Sequence, residues 1–545
     1  MMLMSSILFT FLVSSTLIAS SDASAPFDIE SFGAIAGIDT RSIALTNGLA
    51  FASAIAAANA SLTSREVLVR SGRNYSYLPS VSDISGLTNV TLLIEGTLNL
   101  YTANFSDTKA PFPGWPSVYP GMGFSSCSNF AIISTTGKGV FNGRGNLWWW
   151  YTIFFGDHRN NLLNVYQCTN FTLSGVTFLN SPQWHMFLQD IQQANIFNVT
   201  VLVDIEDQLD ALRYIGGGTA RLNNISTSED IAQVLRAAHL VGPADEIQLS
   251  TLMSRAPLDD VSNENLQTSR RAALTSTVMS ESWFKPQWAI TPPVPMVWAL
   301  NTDGIDFTGS NIRVTNCRVT NFDDSVCVKP SGGTAATGGC THDIYISDIN
   351  VTYGVGVSMG SVPPHDDGNC IDNVIARRLT FDTPLKALYI KPNPSNDPNA
   401  FGAITNIVYE DIVIKNSLWW PIYVGLQQQD QPGSGGGTGC SFIFPLFNST
   451  CPSDPRVTVA NITYRNIDIY GGICAPGLLM ANETNPGTGF IFDAVIGHNV
   501  STWPFVGYYV NNVHGTTSGG TNPVPQGFVP TLLSPQDKDK KKHSR

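Results

Sequence analysis

The sequence predicts an all-β solenoid, a single-stranded parallel β-helix, and three observations carry that prediction. First, a short phrase recurs, in which a polar residue precedes β-branched alternation, a break and more alternation. It reads "LTNVTLLIEGTLNL", "CTNFTLSGVTFLNS", "SNIRVTNCRVTNF", "HDIYISDINVTYG", "DNVIARRLTF", "ITNIVYEDIVIKN" and "VANITYRNIDIYG". Second, from Asn311 to Asp343, Asn373 and Asn406 the steps are 32, 30 and 33 residues. Third, the alternation has period two and turn residues bound every run. A repeat of that length built from short strands stacks one coil on the last. The competing architectures are a two-sheet sandwich and a propeller.

In chain order, residues 1–25 come first, with the apolar run "ILFTFLVSSTLIA" followed by the small residues "SSDASA". This reads as a cleaved secretory signal peptide, although no Lys or Arg precedes the run. No later apolar run reaches bilayer length, so no membrane partner is expected. The stretch "ALTNGLAFASAIAAANAS" at 43–60 is Ala-rich with apolar residues at helical spacing. It fits a capping helix over the open first coil, where unpaired strand edges would otherwise invite aggregation. The catalytic β-helix is expected to span 26–515. Residues 206–295 interrupt it with helix-like segments, "STSEDIAQVLRAAHL" and "NENLQTSRRAALTSTVM". They read as an insertion from one turn, a lid over the site, or a translated intron. The Gly/Pro-rich and then basic residues 516–545 read as a disordered tail.

Composition narrows the function. Twelve N-x-[ST] sequons, at Asn59, Asn74, Asn89, Asn104, Asn170, Asn198, Asn224, Asn350, Asn448, Asn461, Asn482 and Asn499, suit a secreted chain. Nine cysteines leave at least one unpaired within the chain. Cys327 with Cys340, and Cys440 with Cys451, bracket short loops and are expected to form two disulfides. The net charge of −12 and pI near 5.1 argue against nucleic acid as a partner. An acidic sugar polymer stays open, because a local basic subsite can sit in an acidic protein. No CxxC or HExxH spacing implies a metal, and no cofactor is expected.

Asp303 and Asp323 stand 20 residues apart, about one coil, so stacking puts them on neighbouring rungs roughly 4.8 Å apart. Asp324 adds a third carboxylate. Like charges this close raise at least one pKa and keep a proton at mildly acidic pH. Hydrolysis of a glycosidic bond needs that pairing of one protonated carboxyl with one ionised carboxylate. Asp-rich turns at strand ends, or a calcium site, are the alternatives.

"NTDGID", "FDDSVCVKPS", "YGVGVSMGS" and "LYIKPNP", in that order, resemble the four signature segments of glycoside hydrolase family 28, the polygalacturonase family. "FGAIAGIDTRSIALTNGLAFASAI", "FNGRGNLWWW" and "NSPQWHMFLQD" support the resemblance, which covers most of residues 27–510 outside the insertion. It implies a right-handed parallel β-helix and an inverting, metal-free hydrolysis. Asp323 would be the general acid, with Asp303 and Asp324 holding and activating water. Asn301, Tyr389, Lys391 and His365 are the expected substrate-binding residues.

The departures redirect the substrate. Family members carry Gly-His-Gly where this chain has Gly354-Val355-Gly356, and Arg-Ile-Lys where it has Tyr389-Ile390-Lys391. Val cannot assist an acid, and Tyr cannot offer a carboxylate the charged fork of Arg. His365, in "SVPPHDDGN", either enters the cleft in place of the lost His or sits on a surface loop. Trp419 and Trp420, in "SLWWPIYVGLQQQ", either line a sugar groove or pack in the core. The expectation is a secreted, monomeric glycoside hydrolase acting on pectic polysaccharide, with rhamnogalacturonan or substituted galacturonan favoured over unbranched homogalacturonan. A β-helix polysaccharide lyase and a non-catalytic wall-binding protein are the alternatives.

Overall fold

The computed structural model describes residues 25–80, 83–101, 121–145, 149, 159–204, 301–331, 339–394, 397–425, 453–502 and 505–531. Within them 28 strands join one sheet, and every strand pairing is parallel. This is the single-stranded parallel β-helix that the repeat predicts. The expected signal peptide, except its last residue, and the expected insertion at 206–295 lie outside the described residues.

The coil follows from alternation. Along the strand Asn369–Asp382, Ile371, Val374, Ala376, Leu379 and Phe381 point inward and are buried. Val374 pairs with Ile344 on one side and Ile407 on the other, and Leu379 with Ile349 and Ile412. Aliphatic side chains therefore stack in columns, each burial stabilising by about 1.5–3 kcal/mol.

The polar residue that opens each phrase is a corner. Asn311, Asp343, Asn373, Asn406 and Asn461 all adopt φ between 53° and 58°. Asn and Asp tolerate this left-handed region better than other side-chain-bearing residues. Their side chains then bond between coils: Asn373 Nδ2 donates to Asp343 Oδ1 at 2.6 Å, and Asn461 Nδ2 to Asn406 Oδ1 at 3.1 Å.

Helix α1 spans Arg41–Ala60, two residues longer at its start than expected, with the Thr40 hydroxyl accepting from Ile43 N. Ala44, Phe51, Ala54, Ile55 and Ala58 are buried on it, and the helix packs on the first strands and Asn74–Tyr77. It is long and apolar enough to cross a bilayer by composition, yet its apolar face is engaged as the cap. Gly48 is needed where the helix crosses the chain, because a Cβ there would lie 1.8 Å from the Leu78 carbonyl oxygen.

Two expectations are corrected. Residues 516–531 are not a disordered tail: Thr516–Ser518 complete the strand Val513–Ser518, which pairs with Gly487–His498, and Val529–Pro530 pairs beyond it. Backbone pairing and the buried Phe528 hold this last turn despite its Gly/Pro content. The predicted link of Cys327 to Cys340 does not form. Cys340 bonds Cys370 instead, with Cα atoms 4.4 Å apart, because the two are register partners on adjacent coils. Cys327 is buried as a thiol that donates to the Gly360 carbonyl. Cys440 and Cys451 lie outside the described residues.

Candidate active site

Short parallel strands form one ladder along the helix, with Ile305, Val326, Val357, Leu388 and Ile422 in register as one inward row. Two residues upstream of each stand Asp303, Asp324, Val355, Lys386 and Trp420. One residue downstream runs a second row, Asp306, Cys327, Ser358, Tyr389 and Tyr423. The two rows bracket the place where the sequence puts its chemistry.

Asp303, Asp323 and Asp324 converge there, offering oxygens that all lie within 4.8 Å of one another. Asp303 and Asp324 are buried, and Asp323 is the partly exposed member. Backbone contacts fix them: Gly304 N donates to the Asp324 carbonyl at 2.8 Å, and Val355 N to the Asp323 carbonyl at 2.7 Å. Asn321, buried, ties the same turn through its amide, which reaches the carbonyls of Thr302, Asp323 and Asp324.

Electrostatics separates the three. Burial alone would raise Asp324, but Lys391 bonds its Oδ2, Ser358 donates to Oδ1 at 2.6 Å, and Lys329 adds charge. Asp324 is held below the ordinary carboxylate range. Burial, then the neighbouring Asp324, pushes Asp323 up to about 6. Burial, then the neighbouring Asp323, also holds Asp303 well above the ordinary carboxylate range, and its Oδ1 has no hydrogen-bond partner among the described residues. The cluster thus holds one anion fixed by Lys391 and keeps a proton on the other two carboxyls into mildly acidic pH. Three converging oxygens are also what a hard cation would need, and Lys391 already neutralises one of them.

Of the expected binding residues, Asn301 reaches the cluster: its Nδ2 lies 3.5 Å from Asp323 Oδ2, and its Oδ1 accepts from the buried Arg159 at 3.0 Å. Tyr389 is buried beside Lys391, whose ammonium lies 5.1 Å from the ring centroid. His365 is not gathered in. It stands half-buried on the loop after Val357–Val362, bridges to Phe401, and accepts at Nδ1 from Asp367 N. Trp419 and Trp420 are fully buried, with Trp420 stacked on Phe505, so the packing alternative holds.

Sequence reasoning missed five residues. His185 is buried, and its Nδ1 donates to the Asp303 carbonyl at 2.9 Å while Nε2 accepts from Ser181 N. Burial lowers its pKa to about 4, so it stays neutral and serves as a brace. Arg159, Ser358, Lys329 and Lys386 complete the set. Lys329 pairs with Asp306 at 3.1 Å, and Lys386 is packed against Tyr389 and Tyr423. His185, Ser358 and Lys329 lie inside quoted motif segments and were open to finding; Arg159 and Lys386 lie outside them.

The geometry agrees with what the chain resembles. Residues 87–213 and 287–441, just over half of the chain, match the model of glycosyl hydrolases family 28. A probable endo-xylogalacturonan hydrolase A of Emericella nidulans is 32% identical over 117 residues, 21% of this chain and 27% of that protein. The endo-xylogalacturonan hydrolase A of Aspergillus tubingensis is 29% identical over 118 residues, 22% of this chain and 27% of the relative. The matched stretch therefore spans about a quarter of the length of these relatives. Among solved structures, the Aspergillus tubingensis endo-xylogalacturonan hydrolase superposes with TM-score 0.47 at 15% identity, over 90% of this chain and 95% of that one. An exopolygalacturonase from Thermotoga maritima gives 0.48 at 15%, over 91% of each chain. The chain belongs to glycosyl hydrolases family 28.

Proposed function

We propose that the protein is a secreted, monomeric glycoside hydrolase that cleaves pectic polysaccharide with inversion, favouring galacturonan carrying sugar branches. The observation that carries this reading is the convergence of Asp303, Asp323 and Asp324 with their protons unequally held. Asp323, partly exposed and raised to about 6, is the general acid that protonates the leaving oxygen. Asp303 and Asp324 hold the attacking water. Val355 and the buried Tyr389, which replace a His and an Arg of the family pattern, favour a less charged or substituted sugar beside the cleavage point. The names of the relatives point the same way, to xylogalacturonan among the substituted polymers. Rhamnogalacturonan is the other candidate. The Cys340–Cys370 disulfide and the apolar leader favour an oxidising, extracellular setting.

Carboxyl oxygens this close fall short of the roughly 6.5–9.5 Å usual between an inverting pair. Inversion here requires the water to sit against Asp303 and Asp324 together, beside the acid. The test is digestion of a panel of xylogalacturonan, rhamnogalacturonan and homogalacturonan, with the fresh product's anomeric configuration read by NMR. Branched galacturonan is cut fastest, with inverted configuration. A retained configuration overturns the mechanism, and a preference for homogalacturonan overturns the substrate.

A further inference from the structure

The phrase "CSNF" at 127–130 recurs as "CTNF" at 168–171, and the fold lays one on the other. Ser128 pairs in register with Thr169, and Phe130 with Phe171, whose ring centroids are 5.8 Å apart. Between them Asn170 Nδ2 donates to Asn129 Oδ1 at 2.6 Å. Cys127 and Cys168 therefore meet on adjacent coils, one residue ahead of that register. Thr169 N donates to the Cys127 carbonyl and Gln192 N to the Cys168 carbonyl, both at 2.9 Å, which fixes the stack. Both side chains are buried thiols, each directed at the carbonyl two residues back, on Ser125 and Tyr166. Parallel strands stand about 4.8 Å apart, inside the range of roughly 4.4–6.8 Å between Cα atoms that a disulfide spans. The linked pair Cys340 and Cys370 has this same relation, as register partners on adjacent coils. Other buried thiols lack it: Cys317 pairs with Ile349, and Cys327 with Asp306 and Ser358.

We propose that Cys127 and Cys168 are a redox modification site, which closes to a second disulfide between coils when the chain matures in an oxidising compartment. The proposal rests on the extracellular reading above. The oxidant is the disulfide of a thiol–disulfide oxidoreductase. One cysteine, as thiolate, attacks that disulfide, forming a mixed disulfide and releasing one oxidoreductase sulfur as a thiolate. The second cysteine then loses its proton and attacks the first cysteine's sulfur, and the other oxidoreductase sulfur leaves. Two electrons and two protons have passed from the cysteine pair to the oxidoreductase, which ends as a dithiol. In the closed coil the contact with Cys168, then burial, holds the Cys127 thiol far above its ordinary range, and so starves it of the reactive thiolate. Exchange therefore precedes closure of these coils. The bond needs each Sγ to turn from its own strand's carbonyl toward the neighbouring coil. It fastens the coils before the carboxylate cluster, as Cys340–Cys370 fastens those after it.

The experiment uses the full chain secreted into the medium by a eukaryotic host. The protein is unfolded without reductant, alkylated with iodoacetamide, digested and mapped by mass spectrometry. Cys317 and Cys327 should carry the label, while Cys127 and Cys168 should be unlabelled in one linked peptide pair that separates only on reduction. Label on Cys127 and Cys168 beside an intact Cys340–Cys370 link overturns the proposal alone. Label on all four overturns it together with the oxidising setting. A second measurement identifies the partner: in Cys127→Ala, Cys168 should take the label as completely as Cys317 does. A Cys168 that stays blocked in that variant has a different partner, and overturns the proposal. Should Cys127→Ala not be secreted, Cys168→Ala makes the reciprocal test, in which Cys127 should become labelled.

Discussion

Ser358 and Lys391 hold the two oxygens of Asp324 separately, the hydroxyl on Oδ1 at 2.6 Å and the ammonium on Oδ2. They come from successive strands of one ladder, so the anion is fixed by the coil stacking itself. Removing either should act on Asp324 to a different degree. Lys391→Met leaves a buried carboxylate without its counter-ion and should cost about 3–5 kcal/mol of stability. Ser358→Ala removes one hydrogen bond to a charged group, about 1.5–3 kcal/mol. Thermal or denaturant unfolding of both variants checks the order; a Ser358→Ala loss exceeding that of Lys391→Met contradicts it.

Asp323→Asn should reduce kcat by at least 10²–10⁴-fold, the usual share of a general acid, with the fold intact. The same carboxyl gives stability a pH dependence. Folding raises its pKa from an ordinary 3.8 to about 6, so the native state holds the proton more tightly than the unfolded chain. The stabilisation is complete below about pH 4 and is lost as pH rises through 6. In Asp323→Asn that decline should flatten. Activity of the wild type should likewise fall above pH 6 as the acid loses its proton. A variant with near-normal turnover and a normal melting curve would remove Asp323 from the mechanism.

Restoring the missing guanidinium with Tyr389→Arg places a third cation between Lys386 and Lys391, both already within 5.1 Å of the ring it replaces. The expected result is a marked loss of stability and little gain on homogalacturonan. Combining it with Lys386→Met should recover stability and then raise the homogalacturonan rate relative to branched substrates. If the single variant is as stable as wild type, the two lysines do not share that space.

At the corners, Asn170 adopts φ 57° and its Nδ2 donates to Asn129 Oδ1 at 2.6 Å. Asn170→Ala loses the bond and keeps the left-handed backbone, at a cost of roughly 1–2 kcal/mol. Asn170→Gly relieves the backbone and should cost less. Denaturant midpoints that rank Ala above Gly would show that the corner is governed by something other than backbone conformation.

The coils were readable because alternation of period two can bury only one face, and because the residue opening each phrase must turn a corner. Asn373 and Asn406 reveal both constraints at once. The carboxylate cluster was readable from the spacing of Asp303 and Asp323. Cysteine pairing was not, since Cys340 meets Cys370 through the register of adjacent coils rather than through nearness in sequence. The final turn was hidden by its Gly/Pro composition, which speaks of loops while Thr516 and Thr517 pair by backbone alone. Lys386 stands just before a strand, where alternation carries no information about which row it joins.

Successive coils pair over separations near thirty residues, as in Asn373 beside Asn406, but Met186 meets Ile305 across 119. Closure entropy grows with the logarithm of that separation, so this one junction costs about 1 kcal/mol more to form than its neighbours. The solenoid consequently divides into two stretches that can each zip up locally as they leave the ribosome, joined by a late seam. Asp303 lies at that seam and the other two carboxylates beyond it, so the carboxylate cluster is completed only when the halves register. A folding probe at Trp184 should report this slow step, after the coils on either side have already acquired protection.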